Sequence, residues 1–232
     1  MNFLALKRLS LAALAACLLA ALPASADEWT KHYTLSGRPD LRIETSDANI
    51  HVTTWDQNTI EAKVVTSHYK IGEGGIRVEE HQNGDTVEID VRFPHHNFTV
   101  DWGNHRVDVI IQMPREGRVN LRTGDGHITA QGRFDELELK TGDGHVDVRA
   151  ANGSSLAAGW RLETGDGNVS LEVPGNLAAD VDLHTSDGHI DLEMPVSTEG
   201  KIRENEVRGK LNGGGSSLTI RTGDGSIHLR KG

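Results

Sequence analysis

Leu139-Lys-Thr-Gly-Asp-Gly-His-Val-Asp-Val148 is two short runs of alternating apolar and polar residues joined by a tight Gly-Asp-Gly turn. Alternation with a period of two is the mark of a half-buried strand, so the stretch reads as strand, turn, strand. The same pattern returns as Leu121-Arg-Thr-Gly-Asp-Gly-His-Ile-Thr-Ala130 and Leu162-Glu-Thr-Gly-Asp-Gly-Asn-Val-Ser-Leu171. It returns again as Leu183-His-Thr-Ser-Asp-Gly-His-Ile-Asp-Leu192 and Ile220-Arg-Thr-Gly-Asp-Gly-Ser-Ile-His-Leu229. A looser copy, Leu41-Arg-Ile-Glu-Thr-Ser-Asp-Ala-Asn-Ile-His-Val52, lies nearer the start. Internal repetition of this kind decides the fold before any other feature does.

The motif threonines are separated by 18 residues (Thr123 to Thr141), 23 (to Thr164), 21 (to Thr185) and 37 (to Thr222), the last close to two units. One such strand pair cannot bury its apolar face alone. Stacked copies can, because each covers the next and pairs its backbone groups at about 4.8 Å. The expected fold is therefore all-β, a parallel β-solenoid of short coils resembling a β-helix. Leu121, Leu139, Leu162, Leu183 and Ile220 would form one inward ladder, and Ile128, Val146, Val169, Ile190 and Ile227 a second. The threonines follow an inward residue by two positions and are placed inward with them. At the turn, glycine is expected for its freedom at positive φ, and aspartate for side-chain bonds to the backbone that follows it.

Residues 27–120 repeat less cleanly. Thr59-Ile-Glu-Ala-Lys-Val-Val, Ile76-Arg-Val-Glu-Glu, Thr86-Val-Glu-Ile-Asp-Val-Arg and Val107-Asp-Val-Ile-Ile-Gln-Met all alternate like strands. The expected organisation is one β-solenoid domain over 27–232. Its first section, 27–120, is irregular and caps the stack. The regular coils fill 121–232, with a polar, Gly-rich loop around 195–215.

The first 26 residues read as a signal peptide: Lys7 and Arg8, an apolar run from Leu9 to Leu22, then Ala24-Ser-Ala26 before Asp27. The run is too short for a stable membrane anchor. Cleavage after Ala26 sends the protein to the periplasm or cell surface. The alternative is processing at Cys17, since Leu14-Ala-Ala-Cys17 fits a lipobox and would leave a lipid anchor. Against it, Leu18 to Leu22 continues the apolar run past the cysteine. Cleavage after Ala26 removes the single cysteine, and with it any disulfide or thiolate chemistry. It also leaves 22 basic against 34 acidic side chains, a net charge of −12. Such a field does not attract nucleic-acid backbones or anionic membranes. Only ten residues are Phe, Trp or Tyr, so the core must be built from Val, Ile, Leu and Ala.

The Thr-[Gly/Ser]-Asp-Gly-x-φ-x-φ turn resembles that of the bacterial putative-adhesin family of exported domains of unknown function. Val107 to Leu121 resembles the lead-in to that family's regular coils. Gly209-Lys-Leu-Asn-Gly-Gly-Gly-Ser-Ser-Leu-Thr-Ile-Arg-Thr-Gly-Asp-Gly-Ser-Ile-His-Leu229 resembles its closing coil. The resemblance implies a parallel β-solenoid outside the cytoplasm and brings no catalytic residues with it. A fold supplies no function by itself.

Two columns of side chains carry the candidate chemistry. Stacking puts Asp125, Asp143, Asp166, Asp187 and Asp224 in line, with Asp47 at the end. Neighbouring carboxylates at about 5 Å repel by about 1 kcal/mol in water, so backbone N–H groups, solvent or a divalent cation must offset them. The plain reading is an exposed turn ladder with Asp bonded to backbone. The sharper one is calcium bridging, for which the ligand shell is undefined and the nonapeptide calcium-roll pattern is missing. One residue on, His127, His145, Asn168, His189 and Ser226 form the second column. Together with His95, His96, Asp147 and Asp191 it raises zinc, but Asn168 interrupts it and a solvated ladder is the simpler reading. No cofactor or metal is assigned.

Parallel β-helices do host carbohydrate-active enzymes, and paired carboxylates on adjacent coils could match a retaining hydrolase. Yet every coil offers the same acid, and no position stands out as the proton donor. Nucleophile elbow, phosphate loop, zinc-protease and dinucleotide motifs are all missing. The expected function is a non-enzymatic interaction module binding glycan, cell wall or another envelope protein, with Trp55, Trp102 and Trp160 as anchors if exposed. The alternative is a structural periplasmic scaffold, favoured if those aromatics are buried.

Overall fold

The computed structural model describes residues 27–67, 69–94, 106–198 and 203–232. The leader, Cys17, His95, His96 and Trp102 lie outside the described residues. The first seven strands are β1 (Asp27–Thr34), β2 (Asp40–Thr45), β3 (Asn49–Trp55), β4 (Thr59–Thr66), β5 (Arg77–Asn83), β6 (Thr86–Arg92) and β7 (Val107–Pro114). Six more follow: β8 (Gly117–Arg122), β9 (Ile128–Gly132), β10 (Phe134–Lys140), β11 (Val146–Ala150), β12 (Trp160–Glu163) and β13 (Val169–Val173). The last are β14 (Ala179–Thr185), β15 (Ile190–Leu192), β16 (Val196–Thr198), β17 (Glu206–Leu211), β18 (Ser217–Thr222) and β19 (Ile227–Lys231). No helix among the described residues is long and apolar enough to cross a membrane.

The strands form two sheets. One has nine strands in the order β1-β4-β7-β3-β9-β11-β13-β19-β15, the other ten in the order β16-β17-β14-β18-β12-β10-β8-β2-β6-β5. Each motif copy is one coil, leaving the ten-stranded sheet, turning at Thr-Gly-Asp-Gly and entering the nine-stranded one. The coils pair in parallel and in register, so that Ile43, Leu121, Leu139, Leu162, Ile220 and Leu183 form one inward ladder. Ile50, Ile128, Val146, Val169, Ile227 and Ile190 form the opposing one. All of these are buried except Ile190, which is half-buried at the sheet edge. The motif threonines are buried beside them.

Among the motif coils, chain order and stacking order differ at one place. The final coil, β18 and β19, does not sit at the end of the stack. It lies between the β12–β13 coil and the β14–β15 coil. The inward ladder therefore runs Leu162, Ile220, Leu183 rather than in sequence order. The physical reason is in the segment 195–215. There β17 pairs antiparallel with the outer edge of β14, and β16 with β17. The last coil then fills the space on the inner side of β14. Two very short strands, β15 and β16, end the sheets here, which limits pairing with other chains.

The other end is closed differently. β4 runs antiparallel to both β1 and β7, and β5 antiparallel to β6. An ion pair between Lys31 and Glu80 joins the two sheet edges over the buried Tyr33, whose ring centroid is 5.6 Å from the ammonium. Burial, and then the charge of Glu80, push the Tyr33 phenol above its usual range. The hydrogen bond from Lys31 holds the Glu80 carboxyl below its own.

Candidate functional site

The motif turn is built by contact with the coil beneath it. Thr141 Oγ1 donates to the Gly126 carbonyl of the neighbouring coil at 2.8 Å and accepts from its own Gly144 N–H at 3.2 Å. Thr164, Thr222 and Thr185 repeat this with the carbonyls of Gly144, Gly167 and Gly225, each at 2.7 Å. One hydroxyl thus satisfies a carbonyl below and an amide in its own turn. Thr45, in the first coil, has no partner among the described residues for its buried Oγ1.

The glycines are needed for closeness rather than for positive φ. None of the motif glycines has φ in the left-handed region. A Cβ on Gly144 would stand 1.9 Å from the Gly126 carbonyl oxygen, and one on Gly167 would stand 1.8 Å from that of Gly144. The first glycine of each turn is less crowded, with a Cβ at Gly142 meeting the Gly124 carbonyl at 2.8 Å. Serine takes this position at Ser46 and at Ser186, whose N–H lies 2.9 Å from the Gly223 carbonyl, against 2.6 Å for Gly142 and Gly165 on theirs.

The aspartates stand on this ladder and do not hold it. In stacking order they run Asp47, Asp125, Asp143, Asp166, Asp224, Asp187, and all are exposed. Ser46 donates weakly to Asp47 at 3.3 Å. Among the described residues the other five carboxylates make no hydrogen bond and no ion pair, so the expected Asp bonds to the backbone are not formed. The acids on the outer face of the ten-stranded sheet differ. Arg42–Glu88 (3.0 Å), Arg118–Glu136 (2.8 Å), Arg122–Glu138 (2.7 Å) and Arg221–Asp182 (2.9 Å) are cross-strand pairs. A groove of about 560 Å³ on that face is lined by several of these already paired charges.

The histidine column is a capping ladder. His127 N–H donates to Asn49 Oδ1 at 3.0 Å, and His145 N–H to His127 Nδ1 at 2.9 Å. Asn168 N–H donates to His145 Nδ1 at 3.0 Å, and Ser226 N–H to Asn168 Oδ1 at 2.8 Å. The rings of His127 and His145 stack with centroids 4.9 Å apart. Asn168 is therefore a working rung rather than an interruption, because an amide oxygen accepts where an imidazole Nδ1 does. Asn49 was not picked out from the sequence, although Asp47-Ala-Asn49 aligns it with Asp125-Gly-His127.

His189 lies apart from the other two histidines, at the end of the stack. Its Nδ1 is 2.9 Å from Ser226 Oγ and its Nε2 is 3.1 Å from Asp191 Oδ2. His228, also missed, reaches the same Asp191 oxygen at 3.0 Å. No group of three or more His, Cys, Asp or Glu among the described residues is arranged to hold a metal ion. Of the tryptophans, Trp160 is buried in the core and is no surface anchor. Trp55 is half-buried, its indole N–H donating to the Thr59 carbonyl at 2.8 Å.

A two-sheet parallel solenoid with an antiparallel cap at each end, carrying its Asp-centred turns along one edge, defines the class. The model of the Toastrack DUF4097 family matches residues 115–230, half of the chain, and the protein belongs to that family. Among solved structures it resembles a putative cell adhesion protein from Clostridium sporogenes. The two are 16% identical, with 90% of this chain and 100% of that one covered and a TM-score of 0.70, so they share a fold. A putative adhesin from Bacteroides fragilis is 13% identical over 89% of this chain and 98% of its own, with a TM-score of 0.39. The comparison with curated proteins finds no match.

Proposed function

We propose that the protein is a non-enzymatic interaction module, exported to the periplasm or cell surface, that engages an envelope partner through its aspartate edge. The observation that supports this is the contrast in charge satisfaction. Asp125, Asp143, Asp166, Asp224 and Asp187 are exposed, stacked and unpaired among the described residues, on an edge fixed by backbone and threonine hydrogen bonds. The fold does not use these carboxylates, and their mutual repulsion works against it. A rigid row of acids at the coil spacing suits a partner that brings several positive charges, such as a basic segment of another envelope protein or an amine-bearing cell-wall glycan. Preorganisation lowers the ordering cost of binding, which a rigid edge provides. The adhesion name carried by the Clostridium sporogenes protein agrees with a surface role.

The structural-scaffold reading has two observations in its favour. Trp160 is buried, and the outer face of the ten-stranded sheet is self-paired in charge. The test is capture from a solubilised envelope fraction, with a glycan array in parallel, using protein beginning at Asp27. Capture that is lost in Asp125→Asn with Asp143→Asn and Asp166→Asn supports the module. Equal capture by both forms, or none by either, removes the aspartate edge from function.

A further inference from the structure

The strands that leave the motif turns end at a second feature. Thr53, Thr54 and Trp55 close β3, Gln131 and Gly132 close β9, and Arg149 and Ala150 close β11. Five residues of strand at about 3.3 Å each put this end roughly 15 Å from the aspartate edge. Here lies an open groove of about 720 Å³, lined by Arg115, Arg133, Arg149, Gln131, Asn152 and Thr53 among others. Its volume is within the range of small-ligand sites, about 300–1,000 Å³. Arg115 is held by Asp56 at 2.7 Å and Arg133 by Glu116. Arg149 projects outward between Gln131 and Glu172 in the cross-strand row and forms no ion pair with any described residue. Trp55 stands two residues beyond Thr53 on the same outward face, its indole fixed by Thr59.

We infer that this groove binds an acidic oligosaccharide, with a sugar carboxylate on Arg149. Three chemical features point to that class. Guanidinium groups form paired hydrogen bonds to an oxyanion. Amide and hydroxyl groups at Gln131, Asn152 and Thr53 match sugar hydroxyls, which both donate and accept. The fixed indole of Trp55, outside the lining but two residues beyond Thr53 on β3, offers a flat apolar surface for a further sugar ring. On an acidic chain, a groove with three arginines, of which Arg149 forms no ion pair with any described residue although Glu172 lies beside it, is the opposite of the aspartate edge, so the two sites select partners of opposite charge. The inference does not depend on what that edge binds.

The experiment is a calorimetric titration of the protein from Asp27 with trigalacturonate at low ionic strength, beside maltotriose and inorganic phosphate. Trigalacturonate should bind. Arg149→Gln should weaken it about tenfold, the loss of one charge-assisted contact, Arg149→Lys should be intermediate, and Arg161→Gln on the other sheet should change nothing. Absence of binding, or binding indifferent to Arg149→Gln, overturns the inference. Equal binding of maltotriose removes the role of the carboxylate. Phosphate binding as tightly as the trisaccharide makes the groove a plain anion site and removes the sugar. Because this titration reads a defined sugar and the envelope capture reads an aspartate-dependent partner, either can fail alone. Arg149 is exposed, so an unchanged melting temperature is expected in its variants and separates lost binding from lost folding.

Discussion

From Thr123 to Thr222 every motif turn is held by its neighbour through one repeated set of contacts, a threonine hydroxyl on a carbonyl of the next turn (Ala48 for Thr123, a glycine for the others) and a glycine pressed against that same oxygen. In the N-terminal section the turns are held by side chains that occur once each. Asp85 Oδ1 accepts from Ser36 N–H at 2.6 Å and Gly37 N–H at 2.9 Å, and Asp27 Oδ2 accepts from Ile71 N–H at 2.7 Å. Lys31 and Glu80 tie the sheet edges together. The difference teaches where each region is vulnerable. The repeated glycine contact is rigid because backbone meets backbone there. A singular contact made by a flexible side chain leaves room for adjustment.

The largest test of that contrast is a pair of glycine substitutions. Gly144→Ala would set a methyl 1.9 Å from the Gly126 oxygen, so the coil must part, and we expect a loss of more than about 3 kcal/mol. Gly84→Ala, in the β5–β6 hairpin, meets nothing within 4 Å and suffers only from φ near +60°, a loss of about 1 kcal/mol. Urea unfolding of the two variants decides it. Similar midpoints would mean that the stacked turns are as yielding as the hairpin.

A second pair sits within the threonine ladder. Thr164→Val keeps the shape but strands the Gly144 carbonyl and the Gly167 N–H, at an expected cost of about 1–3 kcal/mol. Thr45→Val removes a hydroxyl that already lacks a partner, and about 0.5 kcal/mol or less should be lost. Equal costs would show that the hydroxyls contribute nothing beyond packing.

These pairs also show how far the sequence could be read. Period-two alternation and the repeated turn define the coils, and the inward place of Thr164 follows from its spacing to Leu162. The insertion of the last coil was not legible. The turns ending at Gly167, Gly188 and Gly225 present nearly the same surface, so local pattern cannot say which stacks on which. Only the antiparallel β17 on the edge of β14 decides it, and that is a long-range pairing. The role of the glycines was hidden for a similar reason. A glycine that avoids a carbonyl on another coil looks, in one dimension, like a glycine that supplies positive φ. His127, His145 and Asn168 look like different residues in a sequence, yet they are equivalent rungs once the acceptor atom is what matters. The groove at Arg149 left no motif, since its residues come from the ends of separate strands.

A smaller effect belongs to the N-terminal cap. The folded chain holds the Tyr33 phenol protonated above its usual value of 10.0, while the unfolded chain releases that proton. The stability from this group is therefore complete below pH 10 and declines as pH rises beyond it. Tyr33→Phe should flatten the fall in urea midpoint between pH 9 and 11. An identical pH slope in the variant would place the alkaline sensitivity outside the cap.

The smallest expected change in stability carries the most functional weight. Asp125, Asp143 and Asp166 occupy three successive coils, and their carboxylates form no bond with the described residues, so replacing all three with Asn removes repulsion and breaks nothing. Carboxylates at strand spacing repel by about 1 kcal/mol per adjacent pair in water, less with salt. The triple variant should therefore match or slightly exceed the parent in melting temperature at low ionic strength, and the gap should close at high salt. Glu138→Gln on the ten-stranded face should move the other way, by up to about 1 kcal/mol, because Glu138 is paired with Arg122 at 2.7 Å. Calcium and magnesium at equal concentration should shift the parent's melting temperature alike, since a specific site would stabilise by mass action. If the triple variant instead melts several degrees lower, the carboxylates support the turns in a way their geometry does not express. The aspartate edge would then be part of the fold, and the argument for a partner there would fail. Opposite signs for the two faces would show that the charges on one hold the protein together, while those on the other remain free for a partner.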